Sequence, residues 1–404
     1  MDSTQRRIDV SLRSDQSLRS DLKQKPLKGF WRFCIVNRQK WRNLVALFKI
    51  YRSFFQVIDL LKVVRNVRKG FSGDQKIRKV IKVDGMYYWR LNIPGWNSPH
   101  FKGFLYAELN RLKPHSESTN RLLNAYVAIT KKCPLKCEHC FEWNNLNKPE
   151  VLHDEQLDQI ISKLQQIGTS IISFSGGEPL LRVAEMERLM NKFGKGSAFW
   201  VLTSGFNFSD KHAKRLKNAG LTGVVVSLDH WDSVEHDRFR GHDNAFSDAI
   251  KAVKYSLDYK LVTALSVCLT KQTANEDFLM RYMALAKDLG VGFVQLLEPK
   301  PVGHYAGMDI SLNRAQLECM DQFYEKMNSR EYEEFPILIS HSYYQRRFGC
   351  MAAGNRSVYI DTDGDLQGCP FCQRKEGSML DEDYLKTIDR MAKTGCGSYE
   401  SAPF

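Results

Sequence analysis

Between residues 125 and 300, short apolar runs alternate with amphipathic stretches, and this alternation limits the fold more than any other feature. Runs at 126–130, 170–175, 199–203, 223–228, 262–268 and 293–297 have strand length and are rich in Val, Ile, Leu and Phe. Between them, residues 154–167, 183–193, 210–219, 245–259 and 275–289 repeat apolar residues at helical spacing. Strands alternating with helices pair in parallel through right-handed crossovers. Six such units are too few for a closed eight-stranded barrel. The expected fold is therefore α/β, a partial and open (βα)6 barrel with its functional groups at the C-terminal ends of the strands.

The first expected strand runs into Cys133-Pro-Leu-Lys-Cys137-Glu-His139-Cys140. Seven of the ten cysteines fall in two clusters, 133–140 and 350–396. The first thirty residues lack the apolar core of a secretory signal, so a cytoplasmic, reducing setting is expected. There, clustered thiols suggest a metal or cofactor rather than crosslinks. Cys34, Cys268 and Cys319 stand alone and are expected to be small buried hydrophobes. Three cysteines spaced C-x3-C-x2-C on one loop can wrap one face of an iron–sulfur cluster and leave one iron open. A zinc site with His139 as fourth ligand is the alternative from spacing alone.

The triplet, placed after the first strand of a partial barrel, resembles that of the radical S-adenosylmethionine (radical SAM) superfamily. The resemblance implies a TIM-type partial barrel and a [4Fe-4S] cluster on Cys133, Cys137 and Cys140, with the open iron chelated by SAM. His139 then lies near the adenine. Further motifs follow in the family's order. Gly176-Gly177-Glu178-Pro179 after the second strand is similar to the GGEP segment that holds the methionyl ammonium group; two glycines allow close backbone approach and the proline stiffens the turn. Thr203-Ser204-Gly205 resembles the T-N-G turn, with Ser204 in the place of Asn at a ribose contact. Ser227-Leu228-Asp229 resembles the S-L-D segment, making Ser227 a candidate contact to SAM. His236-Asp237-Arg238-Phe239-Arg240-Gly241 is similar to the H-D-x-x-R-G segment of maturase-type members. Arg240 is a candidate for the SAM carboxylate, since guanidinium matches carboxylate in bidentate fashion; a surface ion pair with Asp237 or Asp243 is the plainer reading. Leu296-Leu297-Glu298-Pro299 would bring backbone beside the adenine, with no role for Glu298. The resemblance covers about residues 121–300. It implies reductive cleavage of SAM to a 5′-deoxyadenosyl radical, hydrogen abstraction, and an electron donor such as flavodoxin or ferredoxin.

Cys350, Cys369, Cys372 and Cys396 follow in residues 301–404, around a strand–turn–strand pattern at 358–366 that turns at Asp363-Gly364. This resembles a SPASM/twitch extension and implies one auxiliary [4Fe-4S] cluster. A four-cysteine zinc ribbon, suited to the Cys369-Pro-Phe-Cys372 knuckle, is the rival. Relatives with such extensions modify peptides or proteins or oxidise small molecules, so both a peptide substrate and a small-molecule dehydrogenase reaction stay open.

The net charge of +13 is concentrated at the N-terminus: residues 1–120 hold 25 Lys/Arg and 9 Asp/Glu, a local +16. Residues 1–29 read as a loose polar tail, and 79–89 as a hairpin turning at Asp84-Gly85. Residues 102–112 read as a short helix. Residues 41–64 read as one helix with a narrow polar stripe and a broad apolar face, interrupted by Lys49, Arg52 and Asp59 and hence no transmembrane span. This basic, α-rich extension is expected to meet its own domain, a second copy of the chain, an acidic partner, or an anionic membrane at the inner face of the bilayer. A basic zinc-ribbon protein that binds nucleic acid also fits the charge and the late cysteines, but leaves the ordered motifs without a purpose, so nucleic acid is not the expected partner.

Overall fold

The computed structural model describes residues 21–72, 79–115 and 122–399; most of the expected N-terminal tail lies outside them. All six expected strands form: β3 (Asn124–Ala128), β4 (Ile171–Ser175), β5 (Ala198–Thr203), β6 (Leu221–Ser227), β7 (Val262–Cys268) and β8 (Phe293–Leu297). They pair in parallel and in sequence order, with Val127 opposite Phe174, Phe174 opposite Val201, and Val201 opposite Val224. Crossovers are made by α4 (Asp154–Gln166), α5 (Val183–Phe193), α6 (Asp210–Asn218), α8 (Ala245–Asp258) and α9 (Glu276–Leu289), with a further short helix α7 (Ser233–Arg240) ahead of α8. Because one strand face meets the helices and the other the barrel interior, these strands read as continuous apolar runs rather than alternating ones. All seven residues of β7 are buried.

The sheet is wider than six strands. β9 (Ile337–Ser340) extends it beyond β8 in parallel, and β10 (Ser357–Ile360) lies parallel to β3 at the other side. β10 turns back through β11 (Asp365–Gln367) to β12 (Gly377–Ser378), so the order is β12-β11-β10-β3-β4-β5-β6-β7-β8-β9. The expected C-terminal hairpin is therefore β10–β11, built onto the edge of the barrel sheet. Asp361 organises its turn by accepting from the N–H groups of Asp363 (2.9 Å) and Asp365 (3.0 Å). α10 (Arg314–Met327) precedes β9 and α11 (His341–Phe348) follows it, and α12 (Tyr384–Thr394) is the last described helix.

The barrel floor is filled from the N-terminal region. β1 (Ile81–Val83) and β2 (Met86–Tyr88) form the expected hairpin, with Val83 opposite Met86. Ile81, Val83, Tyr88 and Leu91 share one buried cluster with Trp200, Val225, Ala264, Phe293 and Ile339 from five barrel strands. Gln24 fixes the same end, its Nε2 donating to Leu261 O (2.6 Å) while its Oε1 accepts from Thr263 N (3.0 Å). Lys79 is buried and donates to the carbonyls of Met327, Phe335 and Pro336.

The single helix expected over 41–64 is instead two, α1 (Gly29–Tyr51) and α2 (Phe54–Ser72). Arg52 adopts a left-handed conformation (φ 51°) and donates its N–H to Phe48 O, ending α1. No Gly or Pro marks the break; apolar periodicity continues across it, so the pattern does not reveal it. The inner faces pack through Leu47, Tyr51, Val57 and Leu60 onto Leu109 of α3 (Pro99–Leu112). No described helix is long and apolar enough to cross a membrane.

Candidate active site at the strand ends

The loop carrying Cys133, Cys137 and Cys140 leaves the end of β3 and is bound on three sides by neighbouring turns. On the first, Gly177 N donates to Thr130 O (2.7 Å) and Glu178 N to Lys132 O (2.8 Å). A Cβ at Gly177 would collide with Lys132 O, so this glycine serves backbone-to-backbone packing on the cysteine loop. On the second side, Lys136 N and Glu138 N donate to Arg240 O and Phe239 O at the end of α7. On the third, His304 N donates to Cys140 O (2.9 Å), and its Nδ1 sits 3.0 Å from Cys137 O. The His304 ring stacks on Trp143 with centroids 3.8 Å apart. Asn147 completes the fixing, accepting from Cys133 N and donating to Cys133 O, each at 3.1 Å.

Burial pushes the Cys133 thiol up to about 12 and raises Cys140 as well, the latter also through its two neighbouring cysteines. A buried thiolate requires a cation or hydrogen-bond donors beside it. The backbone two residues on supplies part of this: Leu135 for Cys133 and Glu142 for Cys140. Cys137 receives the Arg240 guanidinium, Nη1 lying 3.6 Å from its Sγ. Arg240 is buried, and its Nη2 pairs with Asp229 Oδ2 at 2.5 Å. This corrects the surface pairing with Asp237 or Asp243: Asp237 instead accepts from Asn244 N and Phe246 N at the start of α8. Burial opposes both charges of the Arg240–Asp229 pair, yet each holds the other ionised, with Arg240 raised and Asp229 lowered. Asp229 also accepts from Cys268 N (2.8 Å), and its own N–H donates to His236 Nδ1 (3.0 Å).

Glu178 is buried, and burial raises its pKa. Its carboxylate accepts from Thr203 Oγ1 (2.6 Å), Ser204 N (2.9 Å), Ser204 Oγ (2.5 Å) and Leu180 N (3.0 Å). Glu178 thus joins the turns after β4 and β5, while Pro179 opens a short 3-10 turn. Ser227 ends β6, half-buried. His139 stacks on Phe239 (centroids 4.9 Å), and burial lowers it to about 4; its Nδ1 is buried without a hydrogen-bond partner, as is Arg240 Nε. Glu298, itself buried, forms ion pairs with the part-buried Arg346 and Lys300.

The four late cysteines converge from three segments. Cys372 and Cys396 sulfurs are 3.9 Å apart, and Cys372 N donates to Cys369 O (3.0 Å) across a tight turn. Burial raises Cys350 to about 11, with Cys396 and Cys372 adding to the shift, whereas the Cys372 thiol holds Cys369 below its usual value. The same two-residue hydrogen bond recurs: Ala352 N to Cys350 Sγ (3.4 Å), Ser398 N to Cys396 Sγ (3.5 Å), and Phe371 backbone to Cys369. Of the solitary cysteines, Cys268 is buried as expected, but Cys34 and Cys319 are only part-buried because both sit on helices at the periphery. Phe141, beside Cys140, meets Phe371 edge-on (6.2 Å), and Gln373 Nε2 donates to Phe141 O (2.5 Å), joining the two cysteine sites.

Among the described residues no three His, Cys, Asp or Glu side chains gather closely enough for a single metal ion. The donor chemistry of each site, three or four thiols with N–H groups turned to most of the sulfurs, suits a thiolate-held group.

Sequence reasoning missed Asp229 as the partner of Arg240, although it lies in a recognised motif. It also missed Asn147 and His304; Gly303-His304 shortly after the last expected strand was the available signal. A Cβ at Gly303 would collide with Cys140 O.

Comparison with known proteins adds the family context. A model of the radical SAM superfamily matches residues 127–283. The chain is 22% identical over 275 residues to the AdoMet-dependent heme synthase of Nitratidesulfovibrio vulgaris, covering 62% of this chain and 74% of that protein. It is 31% identical over 149 residues to the Fe-coproporphyrin III synthase of Methanosarcina barkeri, 37% of each chain. It is 24% identical over 266 residues to the GTP 3′,8-cyclase of Staphylococcus saprophyticus, 61% of this chain and 77% of that one. Among solved structures, Streptococcus suis SuiB bound to S-adenosylmethionine superposes with a TM-score of 0.52 at 17% identity, over 72% of this chain and 71% of that one. The anSMEcpe structure with bound AdoMet gives 0.51 at 19% identity, over 67% and 80%.

Proposed function

Since the chain belongs to the radical SAM superfamily through residues 127–283, we propose that it is a maturase-like enzyme acting on a peptide or protein, with Cys133, Cys137 and Cys140 holding the SAM-binding [4Fe-4S] cluster. The observation that carries the ligand assignment is the cysteine loop, whose three thiols stand at a strand C-terminus with hydrogen-bond donors already turned to the sulfurs. Bound there, cluster and SAM supply a one-electron cleavage that yields an organic radical able to take hydrogen from carbon.

The chain's own residues orient and seclude. Arg240, fixed by Asp229, presents its guanidinium to Cys137, so it acts as a positioning residue for that thiol more than as a partner of the SAM carboxylate. Glu178 locks the turn at Gly176 and Gly177 to Ser204, shaping the wall on which SAM would rest. His139, with its partnerless Nδ1, and Ser227 are the side chains proposed to touch SAM. Cys350, Cys369, Cys372 and Cys396 hold an auxiliary [4Fe-4S] cluster of the SPASM/twitch kind, linked to the first site through Phe141 and Phe371. A flavodoxin or ferredoxin delivers the electron.

The peptide reading draws on the solved neighbours, which include SuiB bound to precursor peptide SuiA and anSMEcpe with AdoMet and a peptide. The curated relatives, named for heme synthesis and GTP cyclisation, favour a second reading with a small-molecule substrate. Anaerobically reconstituted protein with a strong reductant should convert SAM to 5′-deoxyadenosine. Short peptides encoded beside the gene, run against tetrapyrroles and nucleotides, then separate the readings. Acceleration and mass change with a peptide are expected; acceleration by a small molecule alone overturns the peptide assignment.

A further inference from the structure

The paired helices α1 and α2 carry an outward surface that the barrel does not use. Phe30, Trp41, Val45 and Phe48 fall within about 60° of one another around α1 at 100° per residue, and all four are exposed. The surface continues over the corner: Phe48 stacks on Phe54 (6.4 Å), and Phe54 meets Phe55 edge-on (6.2 Å). Exposure is large for side chains of this size, 72% at Phe30, 66% at Trp41 and 79% at Phe55. The inner faces are already committed to α3, so this outer face is not a core exposed by accident. Monomeric soluble proteins rarely show so many protruding aromatics together.

Charge decides the occupant. From Lys28 to Arg65 the sequence holds nine Lys/Arg and one acid, Asp59, which pairs with Lys62. Arg38, Lys40, Arg42, Lys49 and Arg65 are exposed alongside the aromatic stripe. A second copy docking through a twofold axis would set this patch against itself, cation against cation. The aromatics Phe30, Trp41, Phe54 and Phe55 are 62–79% exposed, too protruding to line a groove for a peptide. Protruding Trp and Phe amid Lys and Arg are the composition of helices that lie in the headgroup region of an acidic membrane. We propose that α1 and α2 form a monotopic docking surface for an anionic lipid bilayer, holding the enzyme at the membrane without spanning it.

The test is co-sedimentation of the full-length protein with vesicles of phosphatidylcholine alone or containing about 40 mol% phosphatidylglycerol, read also by the fluorescence of the exposed Trp31 and Trp41. Binding to the anionic vesicles with a blue shift, partly reversed by high salt, is expected. Trp41→Ser with Phe55→Ser, and separately Lys40→Glu with Lys49→Glu, should each weaken it roughly tenfold or more while leaving SAM cleavage unchanged. These residues are exposed, so neither variant removes core packing. Failure to bind either vesicle overturns the proposal, as does equal binding to both that neither variant alters. A salt-resistant dimer abolished by Phe55→Ser, or capture of an acidic protein in place of lipid, overturns it too and reassigns the surface.

Discussion

The two cysteine sites reach similar chemistry by opposite routes. The first packs three thiols into eight residues of one loop, so the chain's local sequence brings them together and neighbouring turns only hold the result. The second gathers Cys350, the Cys369–Cys372 turn and Cys396, so tertiary structure must do the gathering. A local site is cheap in loop-closure entropy and depends little on its occupant for folding; a dispersed one ties distant segments and should feed binding energy into stability. The first site should therefore govern activity and the second the persistence of the C-terminal region.

The sharpest way to break this contrast is to remove each site in turn. Cys133→Ala, Cys137→Ala and Cys140→Ala together should abolish 5′-deoxyadenosine formation, a loss of at least about a thousandfold, with melting temperature nearly unchanged and roughly four irons retained. Iron analysis and a thermal scan check this; stoichiometric zinc in place of iron would reassign the late cysteines to a ribbon. The converse variant, with alanine at Cys350, Cys369, Cys372 and Cys396, should lose about half the iron and several degrees of melting temperature while still cleaving SAM. A collapse of SAM cleavage there would make the two sites one functional unit.

A smaller effect tests the link between Arg240 and Cys137. Asp229→Asn leaves a buried guanidinium without its counter-charge, which should cost about 3 kcal/mol of stability and slow SAM cleavage roughly tenfold. Denaturant unfolding beside product assay separates the two parts. The smallest change is expected at the edge of the loop: His304→Ala removes the ring contact at Cys137 O and the Trp143 stack, costing about 1 kcal/mol. It should shift the electron paramagnetic resonance of the reduced cluster without loss of iron. An unaltered spectrum would show that His304 is packing alone.

How much of this was legible beforehand follows the same division. The six strands were readable because residues buried on both faces write continuous apolar runs, and the cysteine triplet because its ligands are neighbours in sequence. β9 escaped notice because Ile337–Ser340 is four residues long and follows a proline, too short for periodicity to register. The break at Arg52 was hidden since the apolar pattern runs through it. Arg240 read as a ligand or a surface charge because burial is invisible in sequence: Asp229 stands eleven positions away, and only the approach of α7 to β6 brings them within 2.5 Å. The hairpin at 81–88 was legible as a hairpin, but nothing local says that Ile81 and Tyr88 fill the barrel floor.

The glycines against the cysteine loop bear on how such a protein lives with oxygen. Iron–sulfur centres exposed to air lose iron, and a loop shaped mainly by its metal would have to find its form again before being refilled. Here Gly177, Gly241 and Gly303 let foreign backbone press directly on the carbonyls of Lys132, Lys136 and Cys140, so the shape is owned by the barrel. With the proposed cluster on this loop, oxidative damage then amounts to lost cargo, and repair to its replacement, for as long as the sulfurs stay reduced. The same contact leaves no room for even a methyl group at these three positions. Resilience towards air and intolerance of substitution are in this region a single property, inherited together.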